Sequence, residues 1–193
     1  MTLERFPRRT LRADREIYRI HRFQRLSGNT GWWFSFDATG RFDPVGTGKG
    51  SCYFAERPLG AWVEVYRRQM LLAEAAVTDR WLMSVRVGRD LRLADLTSRR
   101  ALGFGVTASL GANEQYDASQ AFAADALGAG FAGIRYLVRH DPAQKLYGIA
   151  LFGEAGEQPD NDRAEALILD HPIPDELIAE ARRRFGYRVV PRP

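Results

Sequence analysis

A 27-residue segment combines three side chains that together could surround one phosphate-bearing ligand. In GRFDPVGTGKGSCYFAERPLGAWVEVY (residues 40–66), Arg41 falls among glycine and proline residues, Tyr53 in a short aromatic run and Glu64 in an apolar run. The planar fork of an arginine binds phosphate oxygens through paired hydrogen bonds, and Arg19 upstream offers a second fork. A carboxylate such as that of Glu64 can stabilise positive charge that develops in a transition state.

Each of these residues also has an ordinary structural explanation. Arginine is abundant in the chain, so Arg19 taken alone fits a surface position better than a ligand contact. The apolar segment AWVEVY surrounds Glu64, which is unusual for a solvated glutamate, and a catalytic role and an exposed helical position stand about even. For Tyr53, stacking on a ligand ring or bonding to a ribose hydroxyl is about as well supported as a half-buried strand position.

Motifs for several other kinds of site are incomplete. GTGKGS (46–51) resembles a phosphate-binding loop, but Asp43 stands where that loop needs its first glycine, and Gly50 stands where serine or threonine must follow the lysine. The three histidines are far apart and show no metal-ligand spacing, and no serine lies in a G-x-S-x-G motif. We therefore expect no metal site and no hydrolase of the serine-nucleophile type.

Length and composition favour one domain in a reducing compartment. The chain has 193 residues, enough for one sizeable core, and 45% of them are hydrophobic. Cys52 is the single cysteine, so neither an intramolecular disulfide nor a multi-cysteine zinc site can form. No apolar run reaches signal-peptide length or approaches the ~20 residues of a membrane span. We expect a cytoplasmic protein without membrane contact.

The net charge of +4 reflects arginines that are concentrated near both ends of the chain. A basic surface attracts nucleic acid or an acidic partner. Because Glu4, Asp14 and Glu16 are interspersed among the first arginines, a solvated basic face explains the pattern better. Direct nucleic-acid binding is therefore not expected.

The order of elements predicts an α+β fold with a split, mainly antiparallel sheet and flanking helices. Alternation and flanking turn residues predict strands over 17–23, 32–36, 51–56, 80–87, 91–96, 133–140, 146–153, 165–171 and 187–190. Helices are predicted from Pro58 to about residue 70, over 116–130 and over 174–186, with a short one within 97–104. Residues 1–14 are predicted to be irregular and 37–50 to form a loop. Strands and helices do not alternate regularly, which argues against a Rossmann-type sheet.

Six short motifs, in their order and spacing, resemble the RES domain family, which is named for its Arg, Glu and Ser residues. The family pattern is a YR strand, a GGRW/F-n-P-x-G loop, a YxA strand, a helix with A-x-x-E, a GxxYxSR strand and an ALF strand. The matching pieces lie at 18–19, 40–44, 53–55, 61–64, 133–136 and 150–152. The resemblance treats residues 1–193 as one domain, with a core at about 16–155 and a strand–helix–strand extension at 160–190.

The resemblance implies a fold like that of ADP-ribosyltransferase toxins and the cleavage of NAD at its nicotinamide–ribose bond. It implies catalytic roles for Glu64, Arg41 and Tyr53, and contacts to NAD from Arg19, Arg41 and Tyr53. NAD would be the substrate and inorganic phosphate a co-substrate, with no permanently bound cofactor. The implied partner is an Xre-like DNA-binding antitoxin that covers the site, and the sequence leaves a homodimer open.

Val138 stands where the family pattern has its serine. Valine cannot donate a hydrogen bond to phosphate or to a ribose hydroxyl. Either another residue takes the role of the serine, or the strand aligns differently, or activity is weakened. The alternatives to a phosphorolytic toxin are therefore an ADP-ribosyltransferase that modifies a protein and a catalytically weakened homologue that acts as a binding module.

Overall fold

The computed structural model describes residues 3–22, 31–107, 110–111, 113–157 and 166–191. Within them the strands are β1 (Arg8–Leu11), β2 (Glu16–Arg22), β3 (Trp33–Phe34), β4 (Lys49–Ala55), β5 (Leu71–Ala73), β6 (Arg80–Val87), β7 (Leu91–Asp95), β8 (Gly133–Leu137), β9 (Tyr147–Glu154), β10 (Gly156–Glu157), β11 (Ala166–Pro172) and β12 (Arg188–Val190). The helices are α1 (Pro58–Tyr66), α2 (Glu74–Thr78), α3 (Asp117–Gly128) and α4 (Asp175–Phe185), with a 3-10 helix at Arg99–Phe104.

One eight-stranded sheet organises the molecule, in the order β1-β7-β8-β9-β4-β2-β6-β11. Its pairings are antiparallel except for that between β7 and β8. Two small sheets, β10-β3 and β12-β5, lie outside it. The predicted α+β class with a mainly antiparallel sheet is confirmed. No helix in the described part of the chain has the length and apolar character needed to cross a membrane.

The large sheet is split between β2 and β4. Among the described residues these strands pair only at Tyr18 and Ala55, whereas β2 pairs with β6, and β4 with β9, along their whole lengths. Beyond the split, the free edge of β4 is met by Ser35, whose backbone exchanges two hydrogen bonds of 2.8 Å with Ser51. Two half-sheets therefore diverge from a shared corner, and a side chain or ligand can enter between them.

Helix α1 packs against this corner because most of its surface is apolar. Pro58 occupies the first turn, where its missing N–H costs nothing. Trp62 and Val63 are fully buried, in a cluster that also contains Leu72 and Leu177. The helix ends at Tyr66, and the capping residue Arg67 has a φ of 50°, which is unusual for a residue with a side chain. This arrangement fixes the direction of every polar side chain that α1 carries.

Most predicted elements are confirmed, and the departures have simple physical reasons. β1 lies within the predicted irregular lead-in: only Leu11 of its four residues is buried, so an edge strand leaves no alternating pattern. β5, α2 and β10 are too short to give a periodic signal. The predicted strand over 133–140 ends at Leu137, and the helix from Pro58 ends at Tyr66. Predicted positions 23 and 160–165 lie outside the described residues.

Candidate active site

A pocket of about 350 Å³ lies at the split between β2 and β4. Its lining includes all four side chains that the sequence predicts for a ligand site: Arg19 from β2, Arg41 from the loop before β4, Tyr53 from β4 and Glu64 from α1. Residues 45 positions apart in sequence are thereby brought to one cavity. Within the described residues, no three His, Cys, Asp or Glu side chains come together as metal ligands.

Glu64 reaches the pocket from a helix whose buried residues are mostly apolar. Its Oε1 atom is enclosed and has no hydrogen-bond partner among the described residues. Burial raises the pKa of the Glu64 carboxyl, while a hydrogen bond from Tyr136 and the positive charges of Arg67 and Arg41 oppose that shift. Glu64 is therefore neither a solvated helix residue nor a member of a closed ion pair, and it lines the pocket with hydrogen-bonding capacity unused among the described residues.

Arg19 bridges the two half-sheets at the pocket wall. Its Nη1 donates to the backbone carbonyl of Tyr53 at 3.0 Å, which occupies an acceptor that β2 would otherwise have paired. Its Nε is buried and has no hydrogen-bond partner among the described residues. A buried donor without a partner costs about 1–3 kcal/mol, so an incoming acceptor would be bound favourably here.

Arg41 is held by an aromatic ring. Its Cζ lies 4.5 Å from the centroid of Tyr116, and its Nη1 is 3.5 Å from the carbonyl oxygen of Leu110. Burial lowers the pKa of Arg41 below its ordinary value, and the nearby charge of Arg139 adds to this effect. An arginine stays protonated at neutral pH despite such a shift, so the pocket keeps a partly desolvated positive charge.

The loop that carries Arg41 is tied together by the buried carboxylate of Asp43. This carboxylate accepts hydrogen bonds from Ser35 Oγ at 3.0 Å, from the Gly40 N–H at 2.8 Å, from Tyr53 Oη at 3.2 Å and from Ser51 Oγ. A Cβ on Gly40 would overlap the Asp43 carboxylate, so the loop requires glycine there. The same Asp43 that breaks the phosphate-loop motif therefore builds the loop.

The hydroxyl of Tyr53 belongs to this loop scaffold. It accepts from the Phe42 N–H at 2.7 Å and donates to Asp43, while the tyrosine ring lines the pocket. Gln120 of α3 adds two clamps from outside, donating to the carbonyls of Ala38 at 2.8 Å and Gly40 at 3.0 Å. Gln120 gives no sequence signal, because its partners lie about 80 residues away.

The RES domain profile matches residues 16–174, which is most of the chain. The chain belongs to the RES domain family. The resemblance drawn from six short motifs is thus confirmed, and the match extends past the predicted core into the C-terminal extension. No curated protein matches the chain.

Among solved structures, this RES domain is similar to a chain in the crystal structure of the M. tuberculosis MbcT–MbcA toxin–antitoxin complex. The two chains are 19% identical, and the match covers 90% of this chain and 92% of the other with a TM-score of 0.60. At that identity the comparison shows a shared fold.

Tyr136 is a pocket residue that the sequence analysis did not single out. It lies on β8, its ring is 5.0 Å from that of Phe42, and it packs so closely on Gly148 that a Cβ there would overlap the ring. Burial raises the pKa of Tyr136 well above its usual value, and the charge of Glu64 adds to this. The available sequence signal is the tyrosine of GIRY (133–136), which belongs to one of the six motifs that resemble the family.

Val138 follows β8 with its side chain in the core. It is 1% exposed, packs in the same cluster as Trp62 and Leu146, and does not line the pocket, although Leu137 and Arg139 on either side of it do. Its N–H donates to the carbonyl of Leu146 at 3.0 Å. In this RES domain the Val138 side chain therefore packs with α1 in the core and not in the pocket.

Proposed function

We propose that this RES domain is the toxin of a toxin–antitoxin pair and cleaves NAD at the nicotinamide–ribose bond, with inorganic phosphate as the acceptor. The observation that carries the proposal is a pair of unsatisfied polar atoms on two residues that line one pocket, Glu64 Oε1 and Arg19 Nε. Trp62 Nε1, the third such atom among the described residues, belongs to a residue that does not line that pocket. An acceptor and a donor at one pocket suit a ligand with a developing cation and an anionic group, which describes the ribosyl and pyrophosphate parts of NAD.

The proposed reaction replaces one bond to the anomeric carbon with another. The bond between that carbon and the nicotinamide nitrogen breaks, and its electron pair neutralises the positive charge of the ring. A phosphate oxygen then bonds to the carbon, giving nicotinamide and ADP-ribose-1″-phosphate. The ribosyl group carries positive charge in the transition state, as in glycoside cleavage, and the Glu64 carboxylate would stabilise it most strongly at that moment.

The arginines would hold the pyrophosphate. Arg19 and Arg41 lie on opposite sides of the split, so together they can clamp an anionic group between the half-sheets. Tyr53 would offer its ring to the nicotinamide, since its hydroxyl already serves the loop. Tyr136 would help to position the Glu64 carboxylate, because both side chains line the pocket and the Tyr136 hydroxyl lowers the pKa of that carboxyl.

The proposed partner is an Xre-like DNA-binding antitoxin that covers the pocket. Its support is the similarity in fold to a chain whose solved structure is a complex of a toxin with an antitoxin. Expression of the RES domain alone should slow growth, and co-expression with a small helix-turn-helix protein, if one is encoded beside it, should restore growth and give a complex in which NAD cleavage stops. A neighbour that neither binds nor protects the cell would argue against this partner.

The decisive experiment is incubation of the purified protein with NAD, with and without inorganic phosphate, followed by identification of the products. Phosphorolysis predicts free nicotinamide and ADP-ribose-1″-phosphate, formed only when phosphate is present. Free ADP-ribose without phosphate dependence would indicate hydrolysis, and labelled protein would indicate ADP-ribosyl transfer. Intact NAD under all conditions would contradict the proposal and favour a binding module.

A further inference from the structure

A second cavity, of about 680 Å³, opens beside the Glu64 pocket and shares part of its wall, including Glu64, Val65 and Tyr116. We call this cavity the basic vestibule. Its basic groups are Arg67, Arg68, Arg80, Arg139 and His140, of which Arg67, Arg139 and His140 also line the Glu64 pocket. The vestibule is thus continuous with the proposed reaction site and extends its positively charged lining with Arg68 and Arg80.

The arginines of the basic vestibule are poorly compensated. Among the described residues, no carboxylate forms an ion pair with Arg67, Arg68 or Arg80. Arg139 has Glu114 at 3.6 Å, but that glutamate is 80% exposed, and solvent weakens such a pair. The arginines of the cavity outnumber its two lining carboxylates, Glu64 and Glu114, so positive charge prevails there and a bound anion would reduce the repulsion between the arginines.

The pKa of His140, which lines the cavity, is affected by the same positive charges. Burial lowers its pKa below the ordinary histidine value, and the charges of Arg139, Arg67, Arg68 and Arg41 lower it further. At neutral pH His140 is therefore an uncharged hydrogen-bonding group among arginines. The planar guanidinium of an arginine can donate two parallel hydrogen bonds to two oxygens of one phosphate. An anion with a single atom cannot accept such a pair, so the arginines of this cavity suit phosphate better.

We propose that the basic vestibule binds a phosphate dianion next to Glu64. The inference rests on the proposed function, which supplies two sources for such a group. One is the 2′-phosphate of a phosphorylated dinucleotide such as NADP, with the far half of the substrate extending out of the 350 Å³ pocket. The other is free inorganic phosphate, placed beside the bond that is cleaved.

The first measurement is binding of inorganic phosphate to the purified protein by calorimetry, without NAD. The test variant is the double substitution Arg67→Gln and Arg68→Gln. The matched control is Arg182→Gln with Arg183→Gln, two exposed arginines of α4 outside both cavities. We expect phosphate affinity to fall at least tenfold in the test variant and to stay unchanged in the control. An unmodified protein that does not bind phosphate, or equal affinity in both variants, would overturn the proposal.

The second measurement separates the two sources by turnover kinetics. If the phosphate belongs to the substrate, KM for NADP should be at least tenfold below KM for NAD in the unmodified protein, and the two should converge in the test variant. If it is free, NAD cleavage should saturate with phosphate, and half-saturation should need at least tenfold more phosphate in the test variant. If the unmodified protein shows no preference for NADP over NAD and no dependence on phosphate, the proposal is overturned.

These outcomes also separate the vestibule from the proposed function. Phosphate binding that is lost in the test variant, from a protein that leaves both dinucleotides intact, would support the vestibule and contradict the NAD-cleaving activity. NAD cleavage by a protein that does not bind phosphate would support the NAD-cleaving activity and contradict the phosphate site in the vestibule.

Discussion

Arg135 and Tyr136 are consecutive on β8, so they point to opposite faces of the sheet and belong to two different polar clusters. Arg135 donates to Glu56, Asp95 and Thr97, and its Cζ lies 3.7 Å from the centre of the Tyr147 ring. On the other face, the pocket leaves Glu64 Oε1 and Arg19 Nε without partners among the described residues. One cluster is saturated with internal hydrogen bonds, and the other keeps its bonding capacity for a ligand.

The two clusters also differ in how they treat their arginines. Burial alone would lower the pKa of Arg135, but its hydrogen bond to Glu56 and the charges of Glu56 and Asp95 outweigh that effect and raise the pKa. For Arg41 burial prevails and the pKa is lowered. The buried charge of Arg135 has carboxylate partners and contributes to a stable internal cluster. The partly buried charge of Arg41 forms no ion pair with a carboxylate of the described residues, which is typical of a binding site.

The largest effect is expected from Glu64→Gln, which removes the charge from the unsaturated cluster. Turnover of NAD should fall by about 10²-fold or more with little change in NAD binding, because the carboxylate acts mainly on the transition state. Steady-state kinetics and calorimetry check this. Glu74→Gln on α2, an exposed position outside the pocket, is the control. A fully active Glu64→Gln protein would remove Glu64 from the mechanism.

The sequence predicted the pocket better than it predicted the contacts within it. Arg41, Tyr53 and Glu64 could be foreseen because they fall within 24 residues, in motifs with a fixed order. The interaction of Tyr136 with Glu64 could not, since 72 positions separate them and the tyrosine is placed by the pairing of β8 with its two neighbours, β7 and β9. Nor could the direction of Val138, because it depends on where β8 ends.

Breaking the saturated cluster should affect stability. Arg135→Met removes one partner and leaves Glu56 and Asp95 with buried negative charge. A fully buried pair would cost about 3–5 kcal/mol, and we expect about 2–3 kcal/mol because Glu56 is still 29% exposed. Urea unfolding measures the loss. The control Arg86→Met breaks the exposed pair with Glu16 and should cost at most about 1 kcal/mol. Equal losses would mean that the two ion pairs are energetically alike.

Substitutions at Arg41 test whether the pocket needs a guanidinium or only a charge. Arg41→Ala should weaken NAD binding about 10-fold or more, the effect of losing hydrogen bonds to a charged group. Arg41→Lys should weaken it less, because the ammonium keeps the charge but loses the fork and the planar stack on Tyr116. Arg99→Ala, at an exposed position, is the control for isothermal titration. Equal losses would assign the whole effect to guanidinium geometry, and no loss would exclude Arg41 from the site.

Tyr136→Phe should shift the pH profile of the reaction. Because the hydrogen bond from Tyr136 lowers the pKa of Glu64, its removal should raise that pKa further. Glu64 must be ionised to stabilise a cation, so the acidic limb of kcat/KM should move to higher pH while the rate at high pH changes less. Tyr147→Phe, which lies outside the pocket, should leave the profile in place. A uniform loss of rate at every pH would indicate a packing defect in place of the proposed role.

The smallest effect on activity is expected at Val138. Because the side chain lies in the core, Val138→Ser should leave NAD turnover unchanged and cost about 1–2 kcal/mol of stability for a buried hydroxyl without a partner. Val138→Thr keeps the branched shape and isolates the contribution of the hydroxyl. Thermal unfolding and turnover are the measurements. A gain in turnover from either substitution would show that the missing family serine limits this protein.

Because β2 and β4 are almost completely separated, a ligand in the pocket would also connect the two half-sheets. Among the described residues, one backbone pairing, Tyr18 with Ala55, and the hydrogen bond from Arg19 to Tyr53 link the half-sheets. An anion bound by both Arg19 and Arg41 would therefore add a reversible link between them. A ligand bound in the pocket would increase the free energy of unfolding of the domain, and this increase would be lost when the product leaves. A substrate or partner that occupies the split would thus contribute to the stability of the fold for as long as it stays bound.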